Sequence, residues 1–574
     1  MRDTTGTAKE SNGASGPSDA DAARSAELPG QPAGGRSGSW RGRLLWTGAL
    51  AVAAVALYVV FLRISWTYTV NSDGAAGALQ AWDMLHGNVL LRGWWTADVS
   101  FYTFEIPIEA LTEAVRGLGI GVVHIEAAAA YTLLVVVTAL LARGTTRGGA
   151  GVIAAVVAAA ILLAPGDIMS VSVLLGSPDH IGVGAAIGLT FLLVDRAPSR
   201  WWVAPAACVV LVWAQLDDPM ASFAAAFALA VVCLGRAAVG LARTRDRAAV
   251  RYDAALGATA VASYLLTRLA VHLIRASGGF SMRQLSQATK VQPLSAWPHQ
   301  LLNAGRDVLI LFGADFWDEP DALVRASTYV HLVGVALAAA GLVAGIAALV
   351  KLTSGDRITQ TLTMGTLVTL AAGAFVTPLK AGYDAHEIAV VLPFGAALAG
   401  RFAGPWLMRQ RRLARSALIP AGSVLLAACL AFAGYFAARP ALNPPTRVTT
   451  LDSWLLAHHL TDGLGRYWTG CDSRLESGGK VRISPVDPVP NSPYPWIMKP
   501  SWFDPAKHRA NFVVAGADPA GGLVFSPSAV EKAFGKPARV YRFDQFAIMV
   551  YNRNLLRDVW APAQPNPDTG SFRL

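Results

Sequence analysis

Carboxylates dominate the residues able to do chemistry, and most of them stand just outside long apolar runs. Asp73 lies in "NSDGAAGALQAWDMLHGNVLLRGW", shortly after the first such run. A carboxylate there can take a proton from an attacking hydroxyl if it stays ionised and within hydrogen-bond reach. The same position also fits an Asx cap on the helix that follows. Glu105, in "SFYTFEIP", sits among aromatic residues, where a sugar ring can stack while a carboxylate holds its hydroxyls, or where the rings simply anchor at headgroup level. "GSPDHIG" puts Asp179 and His180 at one helix entrance, and "QLDDP" puts Asp217 and Asp218 at another. Ionisable groups at membrane level are costly unless they face a cavity, so Asp179 with His180, and Asp218, are expected to line a site or hold a divalent cation such as Mg2+ or Mn2+, with helix capping as the alternative. In "PLKAGYDAHEIAVVLPFGAALAGR", Lys380, Tyr383, Asp384, His386 and Glu387 crowd the mouth of an apolar run, a cluster suited to a lipid-linked phosphate unless Lys380 only snorkels. Spacing alone assigns no metal-ligand set. Asp83, later on the stretch that Asp73 opens, reads as a surface acid.

The elements that must carry these residues follow from composition. Of the 574 residues 53% are hydrophobic and only 15% charged, and the mean hydropathy is +0.41, so lipid is the solvent for most of the chain. The net charge of +10 comes from Lys and Arg in short clusters between apolar runs. That is a topogenic pattern, and no nucleic-acid partner is expected. Cys208, Cys233 and Cys429 lie in apolar runs and Cys471 stands alone, which excludes a zinc or disulfide framework. No GxSxG elbow, Walker A loop or HExxH helix occurs, disfavouring a serine hydrolase, a nucleotide-driven pump and a zincin.

Residues 1–43 are rich in Gly, Ser, Ala, Pro and Asp and are expected to be a disordered cytoplasmic tail. A bilayer core takes about 20 apolar residues of helix, and about eleven runs approach that length. They are 44–62, 121–142, 149–165, 181–195, 202–216, 220–240, 255–274, 328–350, 359–377, 388–404 and 416–437. Alternate connections are basic, as at Arg143 and Arg147 or Arg409, Arg411 and Arg412, while the others carry acids. The positive-inside rule then puts the N-terminus in the cytoplasm and the C-terminus outside. The expected class is mainly α: a polytopic membrane domain, 44–437, with large outer loops 63–120 and 275–327. A small extracytoplasmic α/β domain, 438–574, follows, in which Trp496, Lys499 and Trp502 suggest carbohydrate contacts.

A large acidic loop after the first helix and an outside domain after the last resemble the GT-C superfamily of integral membrane glycosyltransferases. The resemblance implies a polyprenyl-phosphate sugar donor arriving from the membrane lipid, a cell-envelope glycan or protein acceptor, a location in a bacterial plasma membrane, and a catalytic acid in the first outer loop. Asp73 is the residue that matches, although Gly74 stands where that superfamily often has a second acid. The alternatives are a transporter or flippase of a lipid-linked or polar solute, or a non-catalytic envelope assembly protein. A transporter would favour short outer loops and mid-helix charges.

Overall fold

The computed structural model describes residues 40–163, 168–176, 180–245, 247–282, 291–317, 321–376, 384–441, 447–487, 492–516 and 524–560. The chain forms two compact units, Met1–Val52 and Ala53–Leu574. Of the first, only the start of helix α1 (Trp40–Ser65) is described, so most of the expected tail lies outside the described residues and Trp40–Arg43 are already helical.

In the second unit, α2 (Ser72–Leu85), strand β1 (Trp95–Thr96) and α3 (Glu105–Arg116) lie in the loop expected above to be the first outer one. The helices α4 (Gly121–Arg143), α5 (Gly148–Ile161), a short α6 (Ile168–Val171) continued by a π turn to Gly176, α7 (Ile181–Arg196), α8 (Val203–Asp217), α9 (Ala228–Thr244, preceded by a π turn from Ser222) and α10 (Arg247–Ala276) follow. Strand β2 (Ser281–Met282) and α11 (Trp297–Leu311) belong to the second outer loop, and α12 (Ala322–Val350), α13 (Arg357–Phe375), α14 (Val391–Arg409) and α15 (Arg412–Ala437) complete the bundle.

All the apolar runs fall on helices. Among the described residues, 8 helices are long and apolar enough to cross a membrane, or up to 9 if the bent pair Met169–Gly176 and Ile181–Arg196 counts as one span. The remaining two, α5 and α8, are shorter: the 14 residues of α5 rise only about 21 Å at 1.5 Å per residue, less than a hydrocarbon core of about 30 Å. The span ending in α14 is 83% buried and α4 67% buried, whereas the span in α15 is 11% buried and faces outward. Gly400 and Gly404 let α14 lie directly on α5, because a Cβ at either would strike the carbonyl of Ala154 or Ala150. Small residues at such a crossing let two backbones gain van der Waals contact where lipid offers no hydrophobic drive.

The C-terminal segment contains α16 (Arg447–Ala457), β3 (Asp462–Gly465), α17 (Tyr467–Glu476), β4 (Arg482–Pro485), β5 (Phe512–Gly516), α18 (Pro527–Phe534), β6 (Arg539–Phe543), β7 (Phe546–Val550) and α19 (Leu556–Trp560). The strands form one sheet of order β4-β3-β5-β7-β6, parallel among β4, β3 and β5 and antiparallel from β5 through β7 to β6. Side chains alternate across a strand, and both faces are apolar. Phe512, Val514 and Ile548 pack under Leu451 and Leu455 of α16. On the other face Val513, Ala515 and Met549 share a core with Ala75, Leu79, Trp94 and Ile106 of the first outer loop. The first loop thus shares a core with one side of the sheet, α17 packing on both α2 and β4. The second loop joins at Trp95, where β1 pairs with β2 on one side and bonds Met498 on the other, at 2.8 and 3.0 Å.

Candidate functional site

Asp73 occupies the first turn of α2, but the cap is Asn71, whose side chain accepts from the Gly74 amide at 3.0 Å. The capping role weighed for Asp73 therefore belongs to its neighbour. Asp73 instead accepts from the Tyr467 hydroxyl at 2.7 Å and the Trp496 indole N–H at 3.1 Å, both on Oδ1. Burial, with the adjacent Asp73 charge, drives the Tyr467 phenol well above its usual range, so it stays a donor. Next to it, Ser72 donates to Asp472 at 2.8 Å and to the Tyr467 carbonyl at 2.7 Å. Burial raises the Asp472 carboxyl well above the ordinary range, the Ser72 bond opposing it. At the other end of α2, Asp83 meets Lys499 at 2.7 Å and Trp94 Nε1 at 2.9 Å. Asp83 is thus a tie between loop and outer domain rather than the free surface acid expected. Burial works against its charge, but bonds from Lys499, Asn88 and Trp94 win and hold it below its ordinary value.

A second group forms where α7, α8 and α14 begin or end. His180 and Asp218 meet at 2.5 Å through Nδ1 and Oδ2. His386 stacks on His180 with centroids 5.8 Å apart and planes at 7°, and lies 3.7 Å from Glu387. Glu387 also feels the charges of His180, Asp98 and Asp384. His180 takes a left-handed conformation, φ 59°, a strained state for a non-glycine residue that concentrates at functional sites. Asp217 accepts from the amides of Thr103 and Phe104 at 3.0 and 2.9 Å, stitching the first loop to α8.

Between the two groups runs α3. Its acids Glu105, Glu109 and Glu113 recur every four residues, which places them on one face, and all three are buried. Glu105 lies against Asp217 and beside Gly182 of α7, while Glu109 faces Gly77 of α2, one turn after Asp73, and feels Glu126 of α4. Among the described residues the carboxyl oxygens of Glu109 and Glu113 have no hydrogen-bond partner, while Glu105 shares a proton with Asp217. Burial raises Glu105, with Asp217 adding to it, and raises Glu109 well above the usual range; burial takes Glu113 to about 8. Buried carboxyls facing one another stay protonated rather than pay for unpaired charge, so α3 presents neutral acids.

The structure therefore gathers His180, Asp218, His386 and Glu387, with Asp384 close by, and sets Glu105 at their edge against Asp217. Asp73's described hydrogen bonds run to the outer domain, and α3 bridges from it to that group. Asp179, Lys380 and Tyr383 lie outside the described residues. Among the described residues no three His, Cys, Asp or Glu side chains are placed to hold a metal ion, and none is assigned. Tyr467, Asp472 and the Glu109–Glu126 contact escaped sequence reasoning, although the acid repeat in "EIPIEALTEAVR" was a usable signal for the buried face of α3.

With this geometry, the chain has a GT-C-like fold: an apolar helical bundle, a long first loop carrying an amphipathic helix pair, and a terminal mixed sheet joined to that loop through α17. ArnT from Cupriavidus metallidurans, a GT-C glycosyltransferase, matches in its apo state with TM-score 0.51 at 13% identity, over 91% of this chain and 100% of that chain. The same protein bound to undecaprenyl phosphate matches with TM-score 0.50 at 13% identity, over 88% of this chain and 97% of that chain. No protein-family model matches, and no curated protein matches in sequence.

Proposed function

We propose that this protein is a glycosyltransferase that moves a sugar from a polyprenyl-phosphate carrier to a cell-envelope glycan or protein on the outer face of a bacterial plasma membrane. The observation that carries the proposal is Asp73: a carboxylate at a helix N-terminus, held by a phenol and an indole N–H, on the loop that matches the GT-C fold. Two donors on Oδ1 fix the orientation of its carboxylate, as a general base meeting an acceptor hydroxyl requires. In the reaction Asp73 takes the proton of the acceptor hydroxyl, whose oxygen then bonds the anomeric carbon. The bond from that carbon to the phosphate oxygen breaks, and the phosphate leaves with the electron pair. His180 and His386 offer N–H groups to the leaving oxyanion. Undecaprenyl phosphate bound to ArnT supports a carrier of this class. The topology expected from the basic connections, N-terminus inside and outer domain outside, places this chemistry on the extracytoplasmic side.

The test is to offer membranes containing the protein a set of radiolabelled polyprenyl-phosphate sugars and score transfer. Label appearing on envelope material supports the proposal. No transfer from any member, with an alkaline phosphatase fusion after residue 445 inactive, would contradict it.

A further inference from the structure

We infer that the outer domain carries a separate oxyanion subsite that binds a phosphate- or carboxylate-bearing saccharide through Arg474, Arg482 and Arg509. A cleft opens at the starting ends of the three parallel strands, lined by Asp462 at the head of β3, Arg482 at the head of β4, and His508 and Arg509 just before β5, with Arg474 from α17 and Trp502 as its wall. Three guanidinium groups thus face one acid. Arg482 uses that acid, its Nε bonding Asp462 Oδ1 at 2.6 Å. The Arg474 guanidinium lies over the Trp502 ring, 4.2 Å from its centroid, and among the described residues that guanidinium has no hydrogen-bond or ion-pair partner. Burial, with the like charge of Arg482 adding to it, pulls its guanidinium down to about 10 against the opposing charges of Asp462 and Asp83. A partly buried, stacked guanidinium beside two others has a planar donor fork pre-set for an oxyanion.

The placement says what brings the anion. Arg474 follows Tyr467 by two helical turns on α17, about 10 Å along its axis, and Tyr467 is the donor to Asp73. A group held at Arg474 therefore sits a short oligosaccharide's length from Asp73, on the domain that lies over the first loop. Trp502 is buried, with Arg474 over its ring and Trp94 meeting it edge-on at 5.4 Å, so the cleft recognises charge and not a sugar ring. The assignment rests on the proposed function only in taking this saccharide as the acceptor; the subsite itself does not depend on transfer.

The test uses the full chain in neutral nanodiscs and calorimetric titration with glucose 6-phosphate, glucuronate and glucose as probes. Both anionic sugars should bind and glucose should not. Arg474→Gln should weaken the anionic sugars about ten- to a hundredfold, the loss expected for one charge-assisted hydrogen bond. Arg509→Gln, on an exposed side chain, serves if Arg474→Gln fails to fold, and should weaken them severalfold. Asp73→Asn should bind them as the parent does, so a failed catalytic assignment and a failed subsite give different results. Equal affinity in parent and Arg variants would overturn the inference. So would a response confined to anionic-lipid vesicles, which would make the cleft a headgroup contact.

Discussion

Replacing Lys499 with Met removes the cation that ties the outer domain to the far end of α2. The ammonium lies 2.7 Å from Asp83 Oδ2 and 5.3 Å from the Trp94 ring. A charge-assisted bond is worth about 1.5–3 kcal/mol and the cation–π contact about 0.5–1. Both side chains keep roughly a fifth to a quarter of their exposure, 20% and 27%, so solvent screening trims the sum. Asn88 and Trp94 still serve Asp83 after the change. A net loss of about 1–2 kcal/mol follows, which raises the open population of this contact roughly five- to thirtyfold. Hydrogen exchange should show it as faster exchange of the Trp95 and Met498 amides, with α4 and α14 unchanged. Because the Asp83 carboxyl is held below its ordinary value, the tie is fully present above about pH 4 and is lost as pH falls through the depressed value. The parent and Lys499→Met should therefore differ equally at pH 5 and pH 8 and converge in strong acid. Equal exchange at pH 7, or a difference that grows in acid, would refute the reasoning.

Glu105→Gln should fold with a melting temperature within about 2 °C of the parent, since an amide N–H can replace the shared proton facing Asp217, whereas Glu105→Ala leaves Asp217 unpartnered on that side and should cost about 1–3 kcal/mol by thermal unfolding. Asp452, buried in the outer domain with neither carboxyl oxygen bonded among the described residues, is pushed by burial to about 8. A carboxyl raised in the fold lends stability that is intact below its unfolded value near 4 and lost as pH climbs through 8. The outer domain should thus melt lower at pH 9 than at pH 6, and Asp452→Asn should flatten that slope. Asn71→Ala should cost about 0.5–2 kcal/mol through loss of the α2 cap, read as lower denaturant midpoint with unchanged m.

The bundle was legible because each apolar run had to be helical to satisfy its backbone in lipid, and every run is a helix. Lengths were legible in part: the short run 202–216 is the 15-residue α8, whereas of the run 149–165 the helix α5 takes up residues only as far as Ile161. The outer domain's α/β character followed from alternating clusters such as "NFVVAG", whose residues do divide between two cores. What the sequence hid was that one of those cores belongs partly to the first loop, since Ala75 and Met549 are far apart in the chain and meet only in the fold. The candidate site divides the same way. "QLDDP" and "DAHEI" announced charge at helix ends, and His180, Asp218, His386 and Glu387 come together. Asp73 was visible as an acid, but its partners Tyr467 and Trp496 come from the opposite end of the chain, and no local pattern links them. Glu105 was expected among aromatics that either bind a sugar or anchor at headgroup level, and it is buried among acids, because α3 turns that face inward against α4 and α7.

The central claim turns on whether Asp73 acts as a base. Asn71 holds the helix cap, so Asp73→Asn keeps α2 and its shape while removing basicity, and Asn still accepts from Tyr467 and Trp496. The decisive measurement is sugar transfer from a radiolabelled polyprenyl-phosphate donor by parent and Asp73→Asn at equal membrane levels. The account predicts transfer reduced roughly 100-fold or more, in keeping with general-base catalysis, while transfer at the parental rate would contradict it.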